Sequence, residues 1–338
     1  MTVLVGTHER YLQHVAAPGH PESPARLAAV LAGVDRSPAR DAMVAFAPRP
    51  ATRQELERVH PAAYLDRLKE FCEAGGGGID ADTGASRESW DAAVLAAGSG
   101  PSAIERLDAG EAGAAFLAVR PPGHHATPGQ AMGFCLINNV AVAAAALAER
   151  GERVMIVDWD AHHGNGTQDA FYADGRVFYV SLHQHPLYPG TGRMSETGEG
   201  AGAGTTLNVP LPPGTAGDAY RAAIDQVLTP AAEAFAPSWL IISAGFDGHR
   251  ADPLTDLRLS AGDFADLTSR VVSLVPAGRR LVFLEGGYDL DALTASTAAC
   301  VSALEGEELR PEPVTSGDGR GMSVVEAASA LVARYAER

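Results

Sequence analysis

The stretch Val154-Met155-Ile156-Val157-Asp158-Trp159-Asp160-Ala161-His162-His163-Gly164-Asn165-Gly166 decides the fold. Its first four residues are apolar and three are β-branched, the pattern of a short parallel strand covered on both faces. The chain then turns at once to acids, imidazoles and glycines. Outward from this point the same event recurs. Apolar runs at 3–5, 115–119, 177–181, 240–243 and 281–284 alternate with helical periodicity at 139–150, 218–236 and 261–275. Strands alternating with helices predict a three-layer α/β domain. The later runs also end in polar chemistry: RPPGHHATPGQAMGFC, SLHQHPLYPGTG, SAGFDGHRADPL and EGGYDL. In an open parallel sheet, ligands bind outside the carboxyl ends of the strands, so these segments are expected to converge on one edge.

Composition narrows the function. The 338 residues carry 42 acidic and 26 basic side chains, a formal charge of −16. That balance speaks against a nucleic-acid backbone or an anionic membrane surface as partner. Cys72, Cys135 and Cys300 are too few and too scattered for a disulfide framework or a CxxC zinc site. The amino terminus has no apolar core of signal-peptide length, and the Ala-rich run 140–148 is too short to span a bilayer, so a cytoplasmic protein is expected. No repeat or linker interrupts the chain. One catalytic domain over 1–338 is expected, with 305–338 a peripheral segment ending in a helix at 323–336. Oligomeric state is open; loops at 73–87 and 190–204 would close a rim or meet a second copy.

The eleven histidines include two tandem pairs, His124-His125 and His162-His163. Period-two alternation puts Asp158, Asp160 and His162 on one side as the chain leaves its strand, and Asp247, past another strand, can add a ligand. Two carboxylates and one imidazole leave a tetrahedral zinc an open position for water, although oxygen-rich sites also suit harder metals. Tyr288 follows Gly286-Gly287, read as a flexible hinge before a polar aromatic. Beside a metal-bound carbonyl its phenol would donate to developing negative charge. Gly133-Phe134 and Leu187-Tyr188 offer walls for an alkyl chain. Taken singly, Tyr288 is equally a core tyrosine, and the two aromatic loops read first as ordinary loop packing.

RPPGHH, GFCLINN, DWDAHHGNGTQ, SLH, PGTG, SAGFD and EGGY, in that order, closely resemble the histone deacetylase family over residues 7–291, including an HPESPAR segment. Asn165 and Glu285-Gly286-Gly287-Tyr288 resemble its class II branch and the bacterial histone deacetylase-like amidohydrolases. The resemblance implies the arginase/deacetylase fold, a single α/β domain whose mostly parallel central sheet of about eight strands has helices on both faces. It implies Zn2+ held by Asp160, His162 and Asp247, with His125 the general base, Asn165 its orienting partner and Tyr288 the catalytic phenol. His124 becomes an electrostatic partner oriented by Asp158, because an Asp-paired imidazole tends to stay charged whereas an amide supplies a hydrogen bond without full charge. Asp158, Asp160, His162, Ser181 and Leu182 match a structural K+ site. Phe134 and Tyr188 match the two aromatic walls of the acyl-lysine tunnel, with Gly133 beside them and Asp82 a rim aspartate. Arg26 resembles an arginine near an acetate exit channel.

The implied activity is removal of acetyl or other acyl groups from the ε-amine of lysine. An acetylpolyamine amidohydrolase, whose GKGAGAGTT-like sequence is similar to GEGAGAGTT at 198–206, is the alternative. Leu254 stands where a polyamine-selective branch carries glutamate, which leans towards acyl-lysine. An arginase-type dimanganese site is disfavoured because histidine replaces a bridging aspartate at His249. A binding module that has lost its chemistry should lack a ligand, the base or Tyr288, and none is missing.

Overall fold

Eight strands lie side by side in one parallel sheet in the computed structural model, which describes residues 1–336. In chain order the strands are β1 (Val3–Gly6), β2 (Met43–Phe46), β3 (Gly76–Gly78), β4 (Gly84–Ser86), β5 (Ala114–Leu117), β6 (Val154–Asp158), β7 (Val177–Gln184), β8 (Thr206–Leu211), β9 (Trp239–Ala244) and β10 (Arg280–Leu284). The sheet order is β2-β1-β5-β10-β9-β6-β7-β8, and every neighbouring pair is parallel. Strands β3 and β4 form a separate antiparallel hairpin. This is a single α/β domain with a parallel eight-stranded sheet at its centre, the architecture that the resemblance implied.

The central strands explain why the fold closes here. Every residue of β5, β6 and β9 is buried, so each is apolar on both faces rather than alternating. Helices cover the sheet. Ser89–Asp108 packs on Asn139–Glu149, and Leu290–Glu305 lies between Pro24–Arg36 and Ala261–Val272. Local chemistry fixes where helices begin. Asn138 caps Asn139–Glu149 by accepting the Ala141 N–H at 2.9 Å, and Ser260 with Asp263 forms a capping box on Ala261–Val272.

The strand order places the polar segments together. Strands β6 and β9 are neighbours with Asp158 opposite Ser243, and β10 flanks β9 on its other side. The segments leaving β5, β6, β9 and β10 therefore emerge at one end of the sheet centre. The region expected at 218–236 is helical but not uniform: a π-helical turn, Ile224–Leu228, joins Gly217–Ala223 to Thr229–Phe235. The final helix, Met322–Ala336, packs against that region and β8 and buries Val325 and Ala328.

Candidate metal centre and active site

Backbone turns after β6 build the centre. Asp158 Oδ1 accepts the Asp160 N–H at 3.1 Å, and Asp160 Oδ1 accepts the His162 N–H at 2.9 Å. These successive turns project Asp160 and His162 forward together. Asp247 arrives from the segment after β9 and is locked in place by the Ala161 N–H, 2.8 Å from its Oδ1. His162 Nδ1 then lies 2.8 Å from Asp247 Oδ2 and 3.2 Å from Asp160 Oδ1. One ligand atom from each of the three residues falls within 4.8 Å of the others.

The electrostatics of this cluster favour a cation. Burial would raise the Asp160 carboxyl, but the charges of His124 and His162 hold it well below the usual range. Burial and the neighbouring Asp160 charge push Asp247 up, against the pull of His162. Two facing buried carboxylates are costly unless something positive sits between them, a place His162 takes here, its pKa raised to about 10 against burial by hydrogen bonds to Asp160 and Asp247. A divalent metal fits this donor set of two carboxylates and one imidazole.

Asp158 turns away from this trio. Its Oδ2 accepts His124 Nδ1–H at 3.0 Å and the Tyr179 hydroxyl at 3.2 Å. Burial alone would lower the His124 pKa, but the Asp160 and Asp158 charges overcome it and raise it well above the usual value. His125, with its ring centroid 4.0 Å from that of His124, behaves oppositely. Its Nδ1–H donates to Asn165 Oδ1 at 2.8 Å, which leaves Nε2 with a free lone pair. Burial, followed by the charges of His124 and His162, drives its pKa well below the usual value. The pair thus separates into a cation and a neutral base.

Tyr288 lies on a clamped segment, not the flexible hinge expected from Gly286-Gly287. Gly286 N–H donates to Asp160 Oδ2 at 2.8 Å, and its carbonyl accepts the Phe246 N–H at 3.0 Å. Arg26 donates through Nε to Gly287 O at 2.6 Å and through Nη2 to Glu285 O at 2.5 Å, with its guanidinium 5.0 Å from the Tyr288 ring. The glycines answer space and backbone rather than motion. A Cβ at Gly286 would meet Asp247 and Asp160 oxygens at 2.6 and 2.7 Å, and Gly287 has φ +121. Burial, opposed by Arg26, keeps the Tyr288 phenol protonated and so a donor.

Aromatic rings line two sides of the approach. Phe134 meets Tyr288 edge-on at 5.7 Å and His20 at 4.5 Å. Tyr188, 36% exposed, stands over His125 at 5.1 Å and His162 at 6.4 Å. Phe134 keeps its place at a positive φ of +68, unusual for a bulky residue, after Gly133 at +55. Its N–H donates to Thr83 Oγ1, which in turn donates to Asp82 Oδ1 at 3.0 Å. Asp82 is exposed, its carboxyl raised by partial burial and by Asp80. Leu254 is 37% exposed. Ser181 lies opposite Asp158 across the β6–β7 pair, with Leu182 next along β7.

Several partners in this arrangement were given no role from sequence, although Glu285 and His20 lie in the EGGY and HPESPAR strings. Tyr179 shares the Asp158 oxygen with His124. Glu285 Oε2 accepts the N–H groups of Gly123 and His124 at 2.7 and 3.2 Å. His20 links Phe134 to the Asp82 carbonyl, 2.9 Å from its Nε2. All three act on backbone atoms or on other partners, a role that spacing alone does not reveal even where the residue lies in a recognised string.

A trio that could hold a metal, beside an imidazole and a phenol, is a donor set suited to metal-assisted hydrolysis. Comparison with known proteins narrows this. The family model described as the histone deacetylase domain matches residues 20–304. The chain is 41% identical over 312 residues to a probable deacetylase of Archaeoglobus fulgidus, covering 89% of this chain and 86% of that one. It is 40% identical over 302 residues to the histone deacetylase-like amidohydrolase of Pseudomonas aeruginosa, covering 88% and 80%. The crystal structure of the HDA15 HD domain superposes with a TM-score of 0.91 at 37% identity, covering 99% of this chain and 95% of that one. The chain belongs to the histone deacetylase family, in the class II-like branch with bacterial and plant members. Among the described residues no helix is long and apolar enough to cross a membrane.

Proposed function

We propose that this chain is a zinc-dependent amidohydrolase that removes acetyl and related acyl groups from the ε-amine of lysine or similar acylated amines, with 1–338 acting as one catalytic unit. The observation that carries the reading is the convergence of Asp160, His162 and Asp247 next to a neutral His125 and a protonated Tyr288. Asp160, His162 and Asp247 would hold the zinc, which when bound supplies an acidified water and a polarised acyl carbonyl. His125 Nε2 takes up the proton lost on attack and returns it to the departing amine, oriented by Asn165. His124, kept charged by Asp158, stabilises negative charge without giving up its own proton. The Tyr288 hydroxyl donates to the carbonyl oxygen as charge develops there.

Phe134 and Tyr188 form the walls that take the alkyl chain, beside Gly133, and Asp82 with Leu254 forms the rim. An apolar Leu254 offers nothing to a second ammonium, which supports acyl-lysine over acetylpolyamine. Asp158, Asp160, His162, Ser181 and Leu182 would hold a K+ behind the centre, supported by the register that sets Asp158 against Ser181. Three buried free cysteines fit a reducing cytoplasm.

The test is a panel of acetyl-lysine peptides, longer acyl-lysines and acetylspermidine, assayed with zinc-loaded and chelated protein. Zinc-dependent turnover with acetyl-lysine preferred is expected. Equal turnover after chelation would refute the metal mechanism, and preference for acetylspermidine would shift the assignment to the polyamine reading.

A further inference from the structure

We propose that Asp252 is a positioning residue for the reaction, a buried carboxylate that sets both the Tyr288 phenol and the rim residue Leu254. The proposal rests on the hydrolase reading above. Asp252 is 7% exposed. Its Oδ2 accepts the Tyr288 N–H at 2.7 Å and its Oδ1 accepts the Leu254 N–H at 3.0 Å. Among the described residues it forms no ion pair. Burial raises its pKa against the N–H groups of Leu254, Tyr288 and Asp289, and both oxygens of this buried carboxyl are spent on backbone N–H groups, one beside the chemistry and one at the tunnel mouth.

The grip on Tyr288 has two ends. The peptide joining Gly287 to Tyr288 offers its carbonyl to Arg26 Nε at 2.6 Å and its N–H to Asp252 Oδ2 at 2.7 Å. Gly287, at φ +121, sits where a glycine backbone turns freely. A flipped peptide would point its carbonyl at the carboxylate and its N–H at the guanidinium. Both encounters repel, so the paired charges select one peptide orientation and with it the direction of the phenol. The second oxygen closes a short turn onto Leu254, two residues further on. The Asp252 N–H donates to His249 O at 2.8 Å, and His249 Nε2 lies 2.7 Å from Glu312 Oε2, so the carboxylate stands on an anchored base.

An amide at this position would turn one acceptor oxygen into an NH2 facing an N–H. Asp252→Asn is therefore expected to lower kcat for an acetyl-lysine peptide about 10- to 100-fold, the scale of a misplaced catalytic group, with KM within about twofold. The decisive arm is the same change in a Tyr288→Phe background. A residue acting through the phenol costs nothing further there, whereas a general structural defect multiplies with the first loss. Zinc content, read on the same samples, is expected to match wild type. Should Asp252→Asn not fold, Asp252→Glu, which keeps both acceptors but displaces them by a methylene, is measured in both backgrounds with the same expectation. Unchanged kcat in the single variant, or independent losses in the double variant, overturns the proposal. Full activity of Tyr288→Phe alone removes the phenol's role and overturns this inference, whereas a wild type without zinc-dependent turnover overturns the hydrolase reading on which it rests.

Discussion

Replacing Glu22 by glutamine is expected to cost about 3–5 kcal/mol of folding stability, the range for breaking a buried ion pair by removing one partner's charge. The carboxylate is fully buried. Its Oε1 lies 2.5 Å from Arg120 Nε and 3.3 Å from Arg26 Nη1, and its Oε2 lies 2.7 Å from Arg120 Nη2 and 3.4 Å from His14 Nε2. Both arginines are also fully buried, so a neutral amide in place of the carboxylate leaves two guanidinium charges without a counter-ion. Carbonyl oxygens of Tyr11, His14, Glu285 and Gly287 still hold them, which keeps the expected loss within that range rather than above it. At about 2 °C per kcal/mol for a large domain, the midpoint should fall by roughly 6–10 °C. Burial would raise the Glu22 pKa, but His14 and Arg120 hold it well below the usual carboxylate value. A depressed carboxylate contributes fully above its unfolded pKa and loses that contribution progressively as pH falls from there to the folded value. The wild-type advantage over Glu22→Gln should therefore be full at pH 7, begin to shrink as pH enters the ordinary carboxylate range, and vanish in stronger acid. Urea denaturation from pH 7 downward measures both quantities. A difference below about 1 kcal/mol at pH 7, the yield of an exposed pair, would refute the argument.

Three other changes probe the site and its support. Gly286→Ala drives a methyl to within 2.6–2.7 Å of oxygens on Asp247 and Asp160, so zinc affinity should fall at least roughly tenfold in a competition titration. Tyr288→Phe should lower kcat about 10²- to 10³-fold with little change in KM, because it removes a donor used where charge develops. His60, buried with Nε2 accepting the Asn138 N–H at 3.0 Å and Nδ1 donating to Pro128 O at 3.1 Å, has its pKa lowered to about 4, chiefly by burial. Unfolded chains then bind this proton first as pH falls from neutrality. The wild-type advantage over His60→Gln should narrow by about 3 kcal/mol between pH 7 and pH 4, read by denaturation at each pH, and a constant gap would contradict it.

Sequence made the centre of the sheet readable because its strands are buried on both faces and break abruptly into polar turns. Asp160 and His162 follow β6 directly, and Asp247 leaves the adjacent β9, so their proximity follows from a strand adjacency that sequence order alone does not state. The edges were harder. Met43–Phe46 buries only its ends, and Thr206–Leu211 contains Pro210, a residue that argues against a central strand. Pro210 is tolerated because β8 is the outermost strand. Ser89–Asp108 was hidden by Gly98-Ser99-Gly100-Pro101 in its interior; a Cβ at Gly100 would lie 2.6 Å from that of Ala143, so close helix packing required what propensity disfavours. The Gly286-Gly287 hinge was misread for the same reason. Its glycines make room for two carboxylates, and the hydrogen bonds that immobilise it come from Arg26 and Asp252, far apart in sequence.

Direct metal analysis tests the central claim most sharply. Protein dialysed against zinc and then against metal-free buffer should retain one ion per chain in the wild type and in Tyr288→Phe. His162→Ala and Asp247→Ala should retain none, and their deacetylation should fall to background. Wild-type protein that keeps no zinc, or ligand variants that keep it and still hydrolyse acetyl-lysine, would contradict the account.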